Sequence, residues 1–184
     1  MNAHDGFTSV AILKSVLEPV LLNIAAWAFF HVLIALLCFA IPLAFFVKPY
    51  SWFRIWGWER QGELWSRWFL VKGWKGRLLD GSLILKRGYA KRTLPGTSLE
   101  DLGIFAAETK RAELTHWLSI LPAPLFFLWN PAWAGWVMVL YAVLFNLPFI
   151  VAQRYNRARI ERILKRTMKA KEELTAMKNK LIYP

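Results

Sequence analysis

The sequence predicts an all-α integral membrane protein, and three observations carry that prediction. The run from Leu21 to Val47 holds no Asp, Glu, Lys or Arg over 27 residues, about 40 Å of helix and enough to cross a bilayer with some tilt. A second apolar zone, Trp117 to Ala152, is interrupted by the turn-forming pair Asn130-Pro131. The charges, 24 Lys+Arg against 12 Asp+Glu for a net +12, gather between and after these runs. With 57% hydrophobic residues, 11 Trp and a mean hydropathy of +0.32, the chain is neither disordered nor an ordinary water-soluble globule. The expected architecture is one membrane domain over the 184 residues. It has about three transmembrane helices, a Trp-rich interfacial helix and a basic cytoplasmic C-terminal helix.

The first span is expected at 21–47, with Pro42 bringing a kink or an early end. A signal peptide is a poor reading, because the preceding segment offers Lys14 as its only base and the apolar run is too long. Residues 48–104 form a cytoplasmic and interfacial segment. Within it Trp52, Trp56, Trp58, Trp65, Trp68 and Trp74 alternate with Arg54, Arg60, Arg67, Lys72 and Lys75. Trp58, Trp65 and Trp68 share one side at helical spacing, and Glu63 with Arg67 is an i,i+4 pair. Aromatic and basic stripes also bind nucleic acid. Directly after a membrane span, an interfacial helix is the better reading, and nucleic acid is set aside as a partner. The surface either anchors the chain or holds a lipid-like substrate.

Residues 77–97 read as turns and short extended pieces, with Asp80-Gly81 among them. Asp80 is a candidate site residue, or else a turn aspartate bonding its own backbone. Ser98 caps a new helix, with Asp101 three residues on in a capping-box arrangement. The second span is expected at 105–129, where Pro122 and Pro124 leave a re-entrant hairpin as the alternative. The third is expected at 132–152. Residues 153–184 form a basic tail with 10 Lys/Arg and 3 Asp/Glu, and 48–116 carry 13 Lys/Arg and 7 Asp/Glu. The positive-inside rule places both in the cytoplasm and the N-terminus outside, in a multi-pass protein of the cell membrane.

Titratable groups crowd next to the second span: Glu108, Lys110, Arg111, Glu113 and His116. Ionisable groups at that depth are expensive and therefore functional suspects. Glu113 and His116 are i,i+3, the layout of an imidazole general base with a carboxylate that orients it. An interfacial salt-bridge cluster would look the same in sequence. The basic groups around Arg154 and Arg157 suit lipid phosphates or the phosphates of a nucleotide-bearing cofactor. His31 is expected to pack within the bundle. The single cysteine, Cys38, excludes an intrachain disulfide or a Cys-rich zinc site. No metal is expected, since His4, His31 and His116 lie in different regions. HExxH, Walker A and GxSxG motifs are missing, as is the HxxxxD pattern of many glycerolipid acyltransferases.

Ordered motifs carry a resemblance. They are Gly62-x-x-Trp65-x-x-Trp68-Phe69, Trp74-Lys75 with Leu79-Asp80-Gly81, and Glu108-Thr109-Lys110-Arg111-Ala112-Glu113-Leu114. His116-Trp117, Ser119-Ile120-Leu121-Pro122, Asn146-x-Pro148 and Gln153-Arg154-Tyr155-Asn156-Arg157-x-Arg159 complete the set. Over about residues 51–166 the chain resembles the glycosyl-4,4'-diaponeurosporenoate acyltransferase family, small bacterial membrane enzymes of carotenoid biosynthesis. The resemblance implies the last step of staphyloxanthin assembly, esterification of the glucose C6 hydroxyl of a glycosylated C30 carotenoid with a fatty acyl chain. The N-terminal region and the tail from Thr167 depart from the pattern, so another glycolipid acceptor stays open.

On this reading His116 deprotonates the sugar hydroxyl and Glu113 orients it, with Glu108 and Asp80 as further catalytic candidates. Lys110, Arg111, Arg154 and Arg157 would stabilise the oxyanion or bind donor phosphates. Trp65, Trp68, Trp74, Lys75, Asn146, Gln153, Tyr155 and Asn156 complete the expected binding set. No cofactor is expected to be tightly bound. Acyl-CoA or an acyl-carrier protein supplies the acyl group, and the bilayer and the glycosylated carotenoid or similar glycolipid are the other partners. Two rival classes are a non-enzymatic membrane anchor with a basic cytoplasmic face and a transferase using another donor, such as a methyltransferase.

Overall fold

The computed structural model describes residues 3–75 and 98–182, and among these the regular secondary structure is entirely helical. The N-terminal helix, Ala3–Ala40, runs through Pro19. It stops at Ala40 because Pro42 holds the residue before it out of the α region. After the short helix Leu43–Val47 the chain makes 3-10 turns at Ser51–Phe53 and Gly57–Gly62, then two short α-helices, Glu63–Arg67 and Val71–Trp74. The central helix is Leu99–Leu118. Ser98 caps it as the sequence predicts: its Oγ accepts from the Asp101 backbone N–H at 3.0 Å and donates to the Asp101 carboxylate at 2.6 Å. The C-terminal helix, Ala132–Ile182, is 51 residues long.

Two helices are long and apolar enough to cross a membrane, Lys14–Ala40 and Ala132–Lys180. In the first, Leu21, Ile24, Phe29, Val32, Leu36 and Leu37 are all exposed. A helix that turns so much apolar surface outward is stable in lipid and not in water. The stretch expected as one span at 105–129 is not a single helix. The central helix ends at Leu118, and turns with a 3-10 segment at Ala123–Leu128 follow. Pro122 and Pro124 account for the change, since neither can donate to an α-helical ladder.

The Trp-rich tract also differs from its expectation of one amphipathic helix. Gly62 (φ 91°) and Leu70 (φ 48°) both adopt left-handed backbone, which resets the helical phase twice. Gly62 separates Trp58 from Trp65, and in the short stretch that follows Trp65 is buried while Trp68 is 78% exposed. Gly62 is required there: besides its φ, a Cβ would lie 3.0 Å from the Ala158 Cβ. The basic tail and the apolar stretch before it form one helix, Ala132–Ile182. Nothing between Ala152 and Ile160 breaks an α-helix, so the switch from apolar to charged residues changes its solvent and not its backbone.

Contacts divide the chain into two compact units. The first comprises Met1–Ala40 with Thr115–Asn146. Its core joins Trp27, Ala123, Phe126 and Ala142, with Trp27 stacked on Phe126 at 4.5 Å. Asn23 is buried on the apolar N-terminal helix and needs partners there. It exchanges amide hydrogen bonds with Asn130 at 3.0 and 2.9 Å and accepts from the Trp129 indole at 2.8 Å. His31 packs against Trp27 and Phe145, as expected, and Cys38 is buried.

The second unit comprises Ile41–Leu114 with Leu147–Pro184. It has three apolar clusters. Trp65 and Val71 pack on Val151 and Tyr155. Leu102, Phe105 and Ala106 pack on Ile160. Phe46 and Phe53 close over Ala107.

Candidate active site

The second unit buries a four-charge cluster. Glu59 is fully buried, Glu113 and Arg157 nearly or completely so, and Arg154 is 9% exposed. Arg154 grips Glu59 with two N–H groups, Nε to Oε2 at 3.1 Å and Nη2 to Oε1. Its Nη1 donates to Glu113 Oε1 at 2.7 Å, and Nη2 also donates to the Arg54 carbonyl at 3.0 Å. The other Glu113 oxygen pairs with Arg157, whose guanidinium lies 5.9 Å from the centre of the Phe53 ring. Two carboxylates and two guanidiniums cancel in charge, the condition for burying any of them.

Glu59 has two further donors, the Trp65 indole at 2.7 Å and the Trp56 backbone N–H at 2.8 Å. Burial alone would push its carboxyl up. The hydrogen bonds from Arg154, Trp56 and Trp65, together with the Arg154 charge, outweigh burial and hold it below the usual carboxylate range. Sequence inspection passed over Glu59. Its only sequence signal was an acid among tryptophans and bases, which it shares with the exposed Glu63, so the sequence does not separate the two.

On the central helix, which also carries Glu113, Glu108 and Arg111 form an i,i+3 pair with both side chains largely buried. Lys110 donates to the carbonyls of Phe46 at 2.9 Å and Lys48 at 3.1 Å. It thus satisfies acceptors left open where the Leu43–Val47 helix ends.

The first unit holds the imidazole. His116 Nδ1 lies 3.0 Å from Asn146 Oδ1, and Asn146 Nδ2 donates to the Ala142 carbonyl at 2.9 Å. Ala142 can only accept, so it fixes which way the Asn146 amide faces. Oδ1 then faces His116 and can only accept in turn. Nδ1 of the neutral ring must carry the proton, and Nε2 is the basic nitrogen. Asn146 is fully buried, which keeps the arrangement rigid. Asn146 was expected among the binding residues; its observed partner is the imidazole.

The remaining candidates lie in or near the second unit's surface. Lys75 donates to Asn156 Oδ1 at 2.8 Å and sits 4.9 Å from the centre of the buried Tyr155 ring. Trp74 donates to the Phe69 carbonyl at 2.6 Å, and Gln153 is buried. A pocket of about 500 Å³ is lined by Lys72, Lys75, Arg159 and Arg162 with Glu63 and Tyr155 among its other walls. Asp80 lies outside the described residues. Among the described residues no group of His, Cys, Asp and Glu is placed to hold a metal ion.

Comparison with known proteins agrees with the resemblance. The family described as glycosyl-4,4'-diaponeurosporenoate acyltransferase matches residues 49–166. A protein of that name from Staphylococcus haemolyticus (strain JCSC1435) is 34% identical over 168 residues, 91% of this chain and 97% of its own length. Its counterpart from Staphylococcus aureus (strain Newman) is 37% identical over 147 residues, 80% of this chain and 88% of its own. Another, from strain MRSA252, is 33% identical over 154 residues, covering 84% and 93%. No solved structure matches the chain.

Proposed function

Because the chain belongs to the glycosyl-4,4'-diaponeurosporenoate acyltransferase family, we propose that it esterifies a sugar hydroxyl of a glycosylated carotenoid with a fatty acyl group. The hydroxyl is that of glucose C6. The acyl group arrives as a thioester, on coenzyme A or on a carrier protein. A carotenoid and an acyl chain both dissolve in the bilayer, and the two apolar helices give the chain access to both.

The observation that supports the chemistry is the His116–Asn146 pair. With Nδ1–H tied to Asn146, Nε2 takes the proton from the C6 hydroxyl as its oxygen attacks the thioester carbonyl. The new C–O bond forms and the C–S bond breaks. The thiol leaves with the proton that His116 returns, so base and acid are one residue. Glu113 was expected to orient the imidazole; it is held by Arg154 and Arg157 and transfers no proton, and the residue that orients the imidazole is Asn146. Direct transfer is favoured over an acyl-enzyme, since the one thiol, Cys38, is buried in the N-terminal helix.

The test is lipid mass spectrometry on cells that make the glucosylated C30 carotenoid and express the chain. Wild type adds the mass of one fatty acyl group. His116→Ala lowers product formation by about 10²–10⁴-fold, the usual contribution of a general base. A fully active His116→Ala protein removes His116 from the mechanism. A folded wild type that leaves the glucoside untouched removes the carotenoid as acceptor.

A further inference from the structure

The Lys72–Arg162 pocket gathers four cations from two parts of the chain. Lys72, Lys75, Arg159 and Arg162 face a single carboxylate, Glu63, across about 500 Å³. Arg154 is not available to a ligand in the same way, because four of its five N–H groups are already engaged. Lys75 and Arg159 lie over the same Tyr155 ring at 4.9 and 5.8 Å. Two cations brought to one aromatic ring repel each other, and burial together with Arg159 pushes the Lys75 ammonium down. A site that holds like charges together against that cost is built for an anion that neutralises them.

We propose that this pocket binds the phosphates of a coenzyme A thioester, which makes coenzyme A the carrier of the acyl group. The assignment rests on the acyl-transfer reading above and specifies its donor. Four cations against one carboxylate suit a ligand with several phosphates, a diphosphate and a ribose phosphate. The phosphopantetheine arm of a carrier protein and a phosphatidylglycerol headgroup each bring a single phosphodiester into the pocket, which alone leaves most of the charge unpaired. Arg159 and Arg162 also lie about 10–15 Å along the C-terminal helix from Ala152, where its uninterrupted apolar run ends. The nucleotide end of the donor would then rest in water while its acyl end enters lipid.

The experiment uses the full chain in nanodiscs of zwitterionic lipid, with coenzyme A, 3'-dephospho-coenzyme A and pantetheine as probes in calorimetry. Coenzyme A binds, the dephospho form binds about tenfold more weakly, and pantetheine binding is not detected; each lost charged contact is expected to change affinity by about 10–100-fold. Lys72→Glu combined with Arg162→Glu raises the coenzyme A Kd at least 30-fold and flattens its salt dependence. The milder pair Lys72→Gln and Arg162→Gln gives an intermediate loss and serves if the reversed pair does not fold. Unchanged coenzyme A affinity in the variants overturns the proposal, as does pantetheine binding equal to that of coenzyme A. Loss of binding to phosphatidylglycerol vesicles with coenzyme A affinity intact overturns it in favour of a lipid headgroup. Ester formation is followed separately by mass. Product from acyl-carrier protein but not from acyl-CoA overturns the pocket assignment and leaves the acyltransferase reading standing. Charge-dependent coenzyme A binding without any ester supports the pocket and overturns the acyl-transfer reading.

Discussion

Arg154 reaches Glu59 across 95 positions of sequence and Glu113 across 41, so removing it takes the counter-charge from Glu59 and leaves Glu113 with Arg157 alone. Arg154→Ala is expected to lower stability by about 3–5 kcal/mol, the range for breaking a buried pair, read as a drop in the thermal midpoint of the detergent-solubilised protein. Glu59 adds a pH dependence. Its folded pKa is depressed, so its stabilisation is fully present above the ordinary carboxylate value and is lost as pH falls through the lower folded value. The midpoint difference between wild type and Glu59→Gln should therefore hold steady near neutrality and shrink in acid. A difference that grows in acid would contradict the sign. Glu113, Arg154 and Arg157 were legible in the sequence as charges beside an apolar zone. Their partners were not, because a pair 41 or 95 residues apart leaves no periodic trace. Asn146 and His116 show the same: each stood out alone, and only folding brings them to 3.0 Å.

Among the elements, the break at Gly62 decides where the aromatic tract points. Gly62→Ala combines a left-handed φ with a 3.0 Å approach to Ala158 and should destabilise by about 1–3 kcal/mol. Adding Ala158→Gly should recover the contact part and leave the φ part, a partial rescue visible in the same melting assay. Full rescue would mean that backbone strain contributes nothing. The spacing of Trp58, Trp65 and Trp68 suggested one face of one helix. Periodicity cannot register a turn that restarts the phase, and so it missed that Trp65 points into the core. The cap at Ser98 and the stop before Pro42 were legible because both are local steric or hydrogen-bonding effects.

For the whole molecule, the fold class followed from apolar blocks separated by charged ones, a signal set by bilayer thickness and independent of packing. The number of crossings does not follow from it, because 119–128 is neither a span nor a loop by composition. We propose the topology with the N-terminus outside and the C-terminus in the cytoplasm, which requires 105–129 to count as a crossing along with the two apolar helices. A small tag at the N-terminus should be labelled by an impermeant reagent on intact cells, and one at the C-terminus only after permeabilisation. Labelling of neither tag on intact cells would reduce the count to two.

The order in which the four buried charges are synthesised has a consequence for how the protein is made. The ribosome releases Glu59 and then Glu113 well before Arg154 and Arg157. During that interval two carboxylates have no counter-ions and cannot enter the interior that finally holds them. Glu59 and Glu113 must wait in contact with water until the last helix emerges. A chain that terminates before Arg154 would leave Glu59 and Glu113 without the counter-ions that let them be buried.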